Sequence, residues 1–183
     1  VACGATQPRR EIAKMMIEHG RYSVIKGNMA EICSLAGANG VTMRGVDSDL
    51  NLNDLEIVDI LSKLAVKTQA VIVMTGKKDI IVDGIIPTKK PRVCFISGGH
   101  ELMGKITASG CALGGVIASY LAVCSYFHTF EAAIDAVALY KEAGYLAGQQ
   151  SKGPGTFLAN FTDELYELSR KPYRLLSTNI IRE

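Results

Sequence analysis

Hydrophobic and polar positions near the start of the chain follow first a helical and then a strand-like pattern. Residues 10–19 have helical periodicity, and residues 22–26 form a short β-rich run directly after them. Asn28 and Glu31 then have the spacing of a capping box, which predicts a second helix immediately after the strand. The chain therefore begins as an alternation of helices and strands.

The same alternation continues through the middle of the chain. Residues 40–51 are polar and contain glycine, which predicts a surface loop, and residues 52–67 carry apolar side chains at helical spacing. The run 70–74 is entirely apolar, as expected of a strand buried on both faces of a sheet. Such a strand is typical of a parallel sheet covered by helices.

A hairpin is predicted around Asp83 and Gly84. The β-branched runs 80–82 and 85–86 flank this Asp-Gly pair, which suits a type I′ turn. The hairpin would add an antiparallel edge to the sheet.

The second half of the chain predicts one more strand and a set of helices. The strand covers 92–96, a long uncharged segment runs from 106 to 130, and further helical patterns cover 130–149 and 157–169. Together these elements predict the α/β class, with a mostly parallel central sheet flanked by helices.

Composition favours small-molecule partners. The 183 residues suffice for one domain with a sizeable core, and a net charge of +2 gives no electrostatic footprint for nucleic acid. The five cysteines form no C-x-x-C pair, which argues against a disulfide framework or a zinc site. We therefore expect a protein of the reducing cytoplasm.

The uncharged segment 106–130 is long enough to raise a transmembrane helix as an alternative. Glycine, hydroxyl and histidine residues interrupt it, and a helix buried against a sheet needs such small residues. We therefore expect a buried helix rather than a membrane span.

The stretch 105–115 carries the candidate chemistry. Small residues around Gly110 lead directly into the predicted helix, whose first turn presents unpaired N–H groups and the positive end of the dipole. A phosphate can reach these groups, and Cys111 places a thiol beside it. The alternative is that the small residues only pack against the sheet and that Cys111 is a buried core residue.

Lys26 ends the first strand next to a helix N-terminus, where ligands of α/β sheets gather. The alternative interpretation of Lys26 alone is a solvated surface lysine. Thr75 follows the apolar strand 70–74 and precedes Gly76, so it is either a ligand-contacting hydroxyl or a turn former.

Six motifs follow one another across nearly the whole chain, at residues 25–32, 45–48, 74–76, 99–103, 107–111 and 152–155. Together they resemble the hydroxyethylthiazole kinases, a family with the ribokinase-like fold. Within that family, the start 1–6 and the Lys-Gly-Asn motif resemble the kinase half of the fungal bifunctional enzymes that also carry a thiamine-phosphate synthase.

The resemblance implies ATP-dependent phosphorylation of the hydroxyl of 4-methyl-5-(2-hydroxyethyl)thiazole, with Mg²⁺ bridging the phosphates. The residues that it implies are Lys26, Thr75, Gly76 and Gly110 for the ATP phosphates, Glu31 for magnesium through water, Ala108 by its backbone for the thiazole, and Cys111 for catalysis. Glu31 would combine that role with its place in the capping box.

Cys111 stands where most ribokinase-like enzymes carry an aspartate as general base. A dissociative transition state of phosphoryl transfer needs little help from a base. We therefore expect Cys111 to position the alcohol rather than to be an obligatory proton acceptor.

Two departures from the family pattern bear on these expectations. The Asp-Pro that precedes the matching segment in the family is absent, as is the N-terminal part that supplies most of the thiazole pocket. We expect residues 1–183 to be the C-terminal portion of a single ribokinase-like kinase domain that assembles as a trimer or as several trimers. The alternatives are a pyrimidine or sugar kinase of the same fold, for which an aspartate at position 111 would be typical, and a non-catalytic nucleotide-binding or assembly module.

Overall fold

The computed structural model describes residues 3–37, 54–86, 90–170, 175 and 178–182. The loop predicted at 40–51 lies outside these residues, and so does the motif at 45–48.

The α-helices of the described residues match the predicted ones in order, and all except α4 match them nearly in length. They are α1 (Gln7–His19), α2 (Met29–Ala36), α3 (Asp54–Thr68), α4 (Ser109–Leu121), α5 (Thr129–Gln150) and α6 (Pro154–Arg170). Helix α4 takes up only part of the uncharged segment and buries only Leu113 and Ile117, so the prediction of a buried helix there is wrong. Within the described part of the chain, no helix is long and apolar enough to cross a membrane.

The strands form one sheet in chain order. They are β1 (Val24–Asn28), β2 (Val71–Thr75), β3 (Lys78–Val82), β4 (Val93–Ser97) and β5 (Asn179–Arg182). The α/β class is confirmed, and the sequence patterns missed β5. Among the described strands the sheet is mixed rather than mostly parallel, because only β1 and β2 run parallel while the other neighbouring pairs are antiparallel. Only Gly76 and Lys77 separate β2 from β3, whereas a parallel crossover needs a dozen or more residues.

The hairpin predicted around Asp83 is wrong. β3 lies between β2 and β4, so it is an interior strand of the described sheet. The buried Asp83 carboxylate accepts hydrogen bonds from the Ile85 N–H and from the Arg92 guanidinium, which ends the strand where the turn was expected. The backbone at Gly84 passes so close to the Ala65 carbonyl that a side chain would collide with it.

Helices cover both faces of the sheet, so the core has two layers. The alternation along β2 sends Val71 and Val73 to the face covered by α4, α5 and α6, and Ile72 and Met74 to the face covered by α2 and α3. All four side chains are buried, as the apolar pattern of this strand predicted. The arrangement leaves the ends of β1 and β2, the start of α2 and the start of α4 at one edge of the protein.

Candidate active site

Helix α4 begins with an exposed first turn. Its N-cap is Ala108, which adopts a left-handed backbone conformation (φ 62°, ψ 6°) and has no side-chain acceptor to cap the helix. Gly110 and Cys111 follow in the first turn, and both are exposed. The N–H groups of this turn are therefore available to a ligand, together with the positive end of the helix dipole.

The Lys26 ammonium lies beside this turn. A Cβ atom added to Gly110 would lie 3.5 Å from Lys26 Nζ, which places the cation against the first turn of α4 although the two residues are far apart in the chain. The Lys26 ammonium and the positive end of the α4 dipole thus lie side by side, and this arrangement favours an anion as the ligand. The structure brings together the lysine and the helix start that the sequence singled out separately.

The end of β1 leads into α2 through the predicted capping box, which the structure confirms. Asn28 Oδ1 accepts the Glu31 N–H at 2.8 Å, and Glu31 Oε2 accepts the Asn28 N–H at 3.0 Å. The Thr75 hydroxyl donates to the Gly27 carbonyl at 3.3 Å, across the parallel β1–β2 pair. Glu31, Thr75 and Lys26 therefore stand at the same edge of the sheet.

The turn after β2 is fixed by two buried charges that sequence analysis missed. Gly76 donates its N–H to Asp79 Oδ1 at 2.8 Å, and its carbonyl accepts a hydrogen bond from Lys141 Nζ at 3.1 Å. The Gly76 N–H thus has a partner within the chain. Burial raises the pKa of the Asp79 carboxyl, and the nearby Lys141 opposes this rise more than any other group. The charged pair Lys141-Glu142, which interrupts the apolar stretch of α5, was the signal that could have found Lys141.

A cavity of about 330 Å³ lies between β1 and α4. It is lined by Arg21, Tyr22, Ser23, Val24, Lys26, Gly114, Ile117, Ala118 and Leu121. On α4 it borders the middle and the end of the helix, from Gly114 to Leu121. The start of α4 is open for a different reason, because Gly110 and Cys111 are exposed to solvent.

The start of α4 is also anchored to α5. The buried Tyr140 hydroxyl donates to the Ser109 carbonyl at 2.6 Å. Burial, and secondarily the proximity of Cys111, raise the pKa of this phenol, so it keeps the proton that it donates. The first turn of α4 is thereby held in place before any ligand arrives.

Replacing Ala108 by glycine is expected to stabilise the fold. An L-residue in the left-handed region costs about 1–2 kcal/mol, and the extra entropy that glycine brings to the unfolded chain offsets part of the gain. We expect a net increase of roughly 0.5–1 kcal/mol in the free energy of unfolding, measured by urea denaturation. Ala112→Gly, which changes a helical position of α4, should instead lower this free energy by about 1 kcal/mol. Equal losses in both variants would contradict the left-handed assignment.

Comparisons with known proteins agree on one family. The model of the hydroxyethylthiazole kinase family matches residues 1–171. A hydroxyethylthiazole kinase of Thermoanaerobacter sp. (strain X514) is 41% identical over 171 residues, which are 92% of this chain and 61% of that protein. A probable thiamine biosynthetic bifunctional enzyme of Schizosaccharomyces pombe is 37% identical over 92% of this chain and 32% of its own length.

A solved structure has the same fold. The hydroxyethylthiazole kinase protein of Pyrococcus horikoshii OT3 superposes with a TM-score of 0.77 at 23% sequence identity, covering 100% of this chain and 63% of that one. The chain thus spans about three fifths of the length of the kinases to which it is similar.

Proposed function

Because the chain belongs to the hydroxyethylthiazole kinase family, we propose that it carries out the ATP-dependent phosphorylation of the hydroxyl of 4-methyl-5-(2-hydroxyethyl)thiazole, in thiamine biosynthesis or salvage. The observation that carries the proposal is the Lys26 ammonium beside the open first turn of α4 at Gly110. Phosphoryl transfer asks a protein mainly to hold the alcohol in line and to neutralise the charge on the transferred group.

The N–H groups at Gly110 and Cys111, together with Lys26, are the groups that we assign to the terminal phosphate. Donors that are already in place stabilise a transition state by roughly 3 kcal/mol each in other enzymes. Thr75 adds a hydroxyl from the end of β2. Gly76 borders the phosphates without donating its N–H, which is bound to Asp79.

The thiazole alcohol is assigned to the other side of the same turn. Cys111 is exposed in the first turn of α4, where its thiol can hold the alcohol in line with the phosphorus. Ala108 offers its backbone to the thiazole from the adjoining position.

Glu31 suits a magnesium ion held largely by substrate and water. The described residues contain no cluster of three or more histidine, cysteine, aspartate or glutamate side chains that could hold a metal. Mg²⁺ at nucleotide sites commonly takes only one or two carboxylates and completes its shell with phosphates and water, so a single glutamate fits it. When bound, the ion would neutralise phosphate charge.

The remaining partners are proposed on the family alone. They are further copies of the protein, as a trimer or an assembly of trimers, in the cytoplasm, without nucleic acid or membrane. A thiamine-phosphate synthase on the same polypeptide is a further possibility, because the Schizosaccharomyces pombe relative is named a bifunctional enzyme.

A coupled assay of ADP formation tests the proposal. The protein expressed from its complete reading frame is given MgATP with the thiazole alcohol, with a pyrimidine, with a sugar, or with no acceptor. We expect ADP formation that depends on the thiazole alcohol. Faster turnover of the pyrimidine or the sugar would contradict the substrate assignment, and MgATP binding without any transfer would favour a non-catalytic module.

A further inference from the structure

Two opposite charges are buried together below the turn that joins β2 to β3. Asp79 on β3 is 3% exposed and Lys141 on α5 is 7% exposed. Lys141 Nζ lies 3.3 Å from Asp79 Oδ1. No role has been assigned to these residues in the proposed reaction.

The pair holds the polar groups of the turn. Asp79 Oδ1 accepts the Gly76 N–H at 2.8 Å, while Lys141 Nζ donates to the carbonyls of Gly76 at 3.1 Å and Lys77 at 3.4 Å. Thr75, whose hydroxyl faces the end of β1, directly precedes this turn. The orientation of the turn is therefore set from beneath by α5.

Stability alone gives little reason to bury such a pair. Well-packed apolar side chains of similar volume often stabilise a core as well as a buried ion pair does. A buried pair does, however, fix the geometry around it, because its charges are satisfied in only one arrangement. Here the hydrogen bonds of Asp79 and Lys141 fix the turn in one orientation.

The charge of Asp79 depends strongly on its partner, because the carboxyl is buried. Burial raises the pKa of the Asp79 carboxyl, whereas Lys141 and, to a smaller extent, Lys26 lower it. Without Lys141, the buried Asp79 carboxylate would lose its charge partner, and the carbonyls of Gly76 and Lys77 would lose their donor.

We propose that Lys141 is a positioning residue for the nucleotide: it neutralises Asp79 and holds the turn at Gly76, so that Thr75 and Gly76 stay in place beside the ATP phosphates. This inference rests on the proposed function. It assigns to Lys141 an effect on ATP that is transmitted through Asp79 and requires no contact with the substrate.

The test compares Lys141→Met, Asp79→Asn and the double variant. We expect Lys141→Met to raise the KM for ATP about tenfold or more, with little change in the KM for the thiazole alcohol. The double variant, in which no charge is left in the pair, should have a KM for ATP at least about threefold below that of Lys141→Met, because Asp79 no longer leaves an uncompensated buried charge. The dissociation constant of MgATP, measured by calorimetry, should follow the same order.

Glu142→Gln is the matched control. Glu142 is the next residue of α5 and is fully buried, but it accepts hydrogen bonds from Thr178 before β5 instead of holding the turn. Its substitution should lower the melting temperature and leave the KM for ATP unchanged. Lys141→Gln, which keeps a donor but loses the charge, provides a second variant if Lys141→Met does not fold, and it should also raise the KM for ATP.

The proposal is overturned if Lys141→Met or Lys141→Gln binds MgATP like the parent, or if the double variant is no better than the single lysine variants. A parent that binds MgATP but does not phosphorylate the thiazole alcohol would refute the proposed function only, because calorimetry still tests Lys141. A parent that binds no MgATP would overturn both.

Discussion

Gly110→Asp is expected to lower kcat/KM for thiazole-dependent ADP formation by about 1000-fold or more while leaving the fold at least as stable. An aspartate in the first turn of a helix interacts favourably with the dipole, and it replaces a glycine that weakens the helix. The same carboxylate lies beside Lys26 and takes the place that we assign to the phosphate. Activity and stability should therefore change in opposite directions, which loss of folding cannot produce.

Gly115→Asp controls for the charge. Gly115 lies farther along α4, is exposed, and has open space where its Cβ would be. Its substitution should leave kcat/KM within about threefold of the parent, because the new charge is more than one helical turn from the proposed phosphate position. Equal losses in the two variants, or full activity in Gly110→Asp, would contradict the assignment of the phosphate to the start of α4.

Lys26→Ala is expected to reduce kcat/KM about 100-fold to 1000-fold, through both a higher KM for ATP and a lower kcat. The ammonium at the first turn of α4 is the side-chain cation that we assign to the transferred phosphate, where it would neutralise the charge that develops in the transition state. Lys26→Arg should retain most of the activity, since arginine supplies the same charge.

Lys14→Ala is the control for loss of a lysine. Lys14 is an exposed residue of α1 that pairs with Glu18 on the surface. Its removal should lower the free energy of unfolding by less than about 1 kcal/mol and leave kcat/KM unchanged. Parent-like kinetics in Lys26→Ala would refute its role, and so would a loss matched by Lys14→Ala.

Local rules that act over a few residues predicted the parts of this site that the structure confirms. The capping box of Asn28 and Glu31 depends only on spacing and side-chain chemistry, so the sequence displays it directly. The helix starting near Gly110 could likewise be read from small residues followed by an apolar run. The position of Lys26 against this helix could not be predicted, because it depends on how distant segments of the chain pack together.

The wrong predictions arose where a side chain overrode a local preference. The Asp83-Gly84 pair suits a type I′ turn, but the Asp83 carboxylate instead accepts hydrogen bonds from Arg92, the residue directly before β4. The prediction of a mostly parallel sheet is wrong for a different reason, because Gly76 and Lys77 form a connection too short for a parallel crossover. The ion pair of Asp79 and Lys141 joins a strand to a helix that is distant in the sequence, so no periodic pattern of hydrophobic residues could predict it.

The central claim, that the start of α4 binds the terminal phosphate of a nucleotide, is tested most directly by NMR. The amide signals of Ser109, Gly110 and Cys111 are followed in ¹⁵N-labelled protein during titration with the Mg²⁺ complex of a non-hydrolysable ATP analogue. We predict saturable downfield shifts of the Gly110 and Cys111 amide protons, which weaken in Lys26→Ala. Saturable binding that leaves these amides unshifted and instead moves signals at another helix would contradict the account.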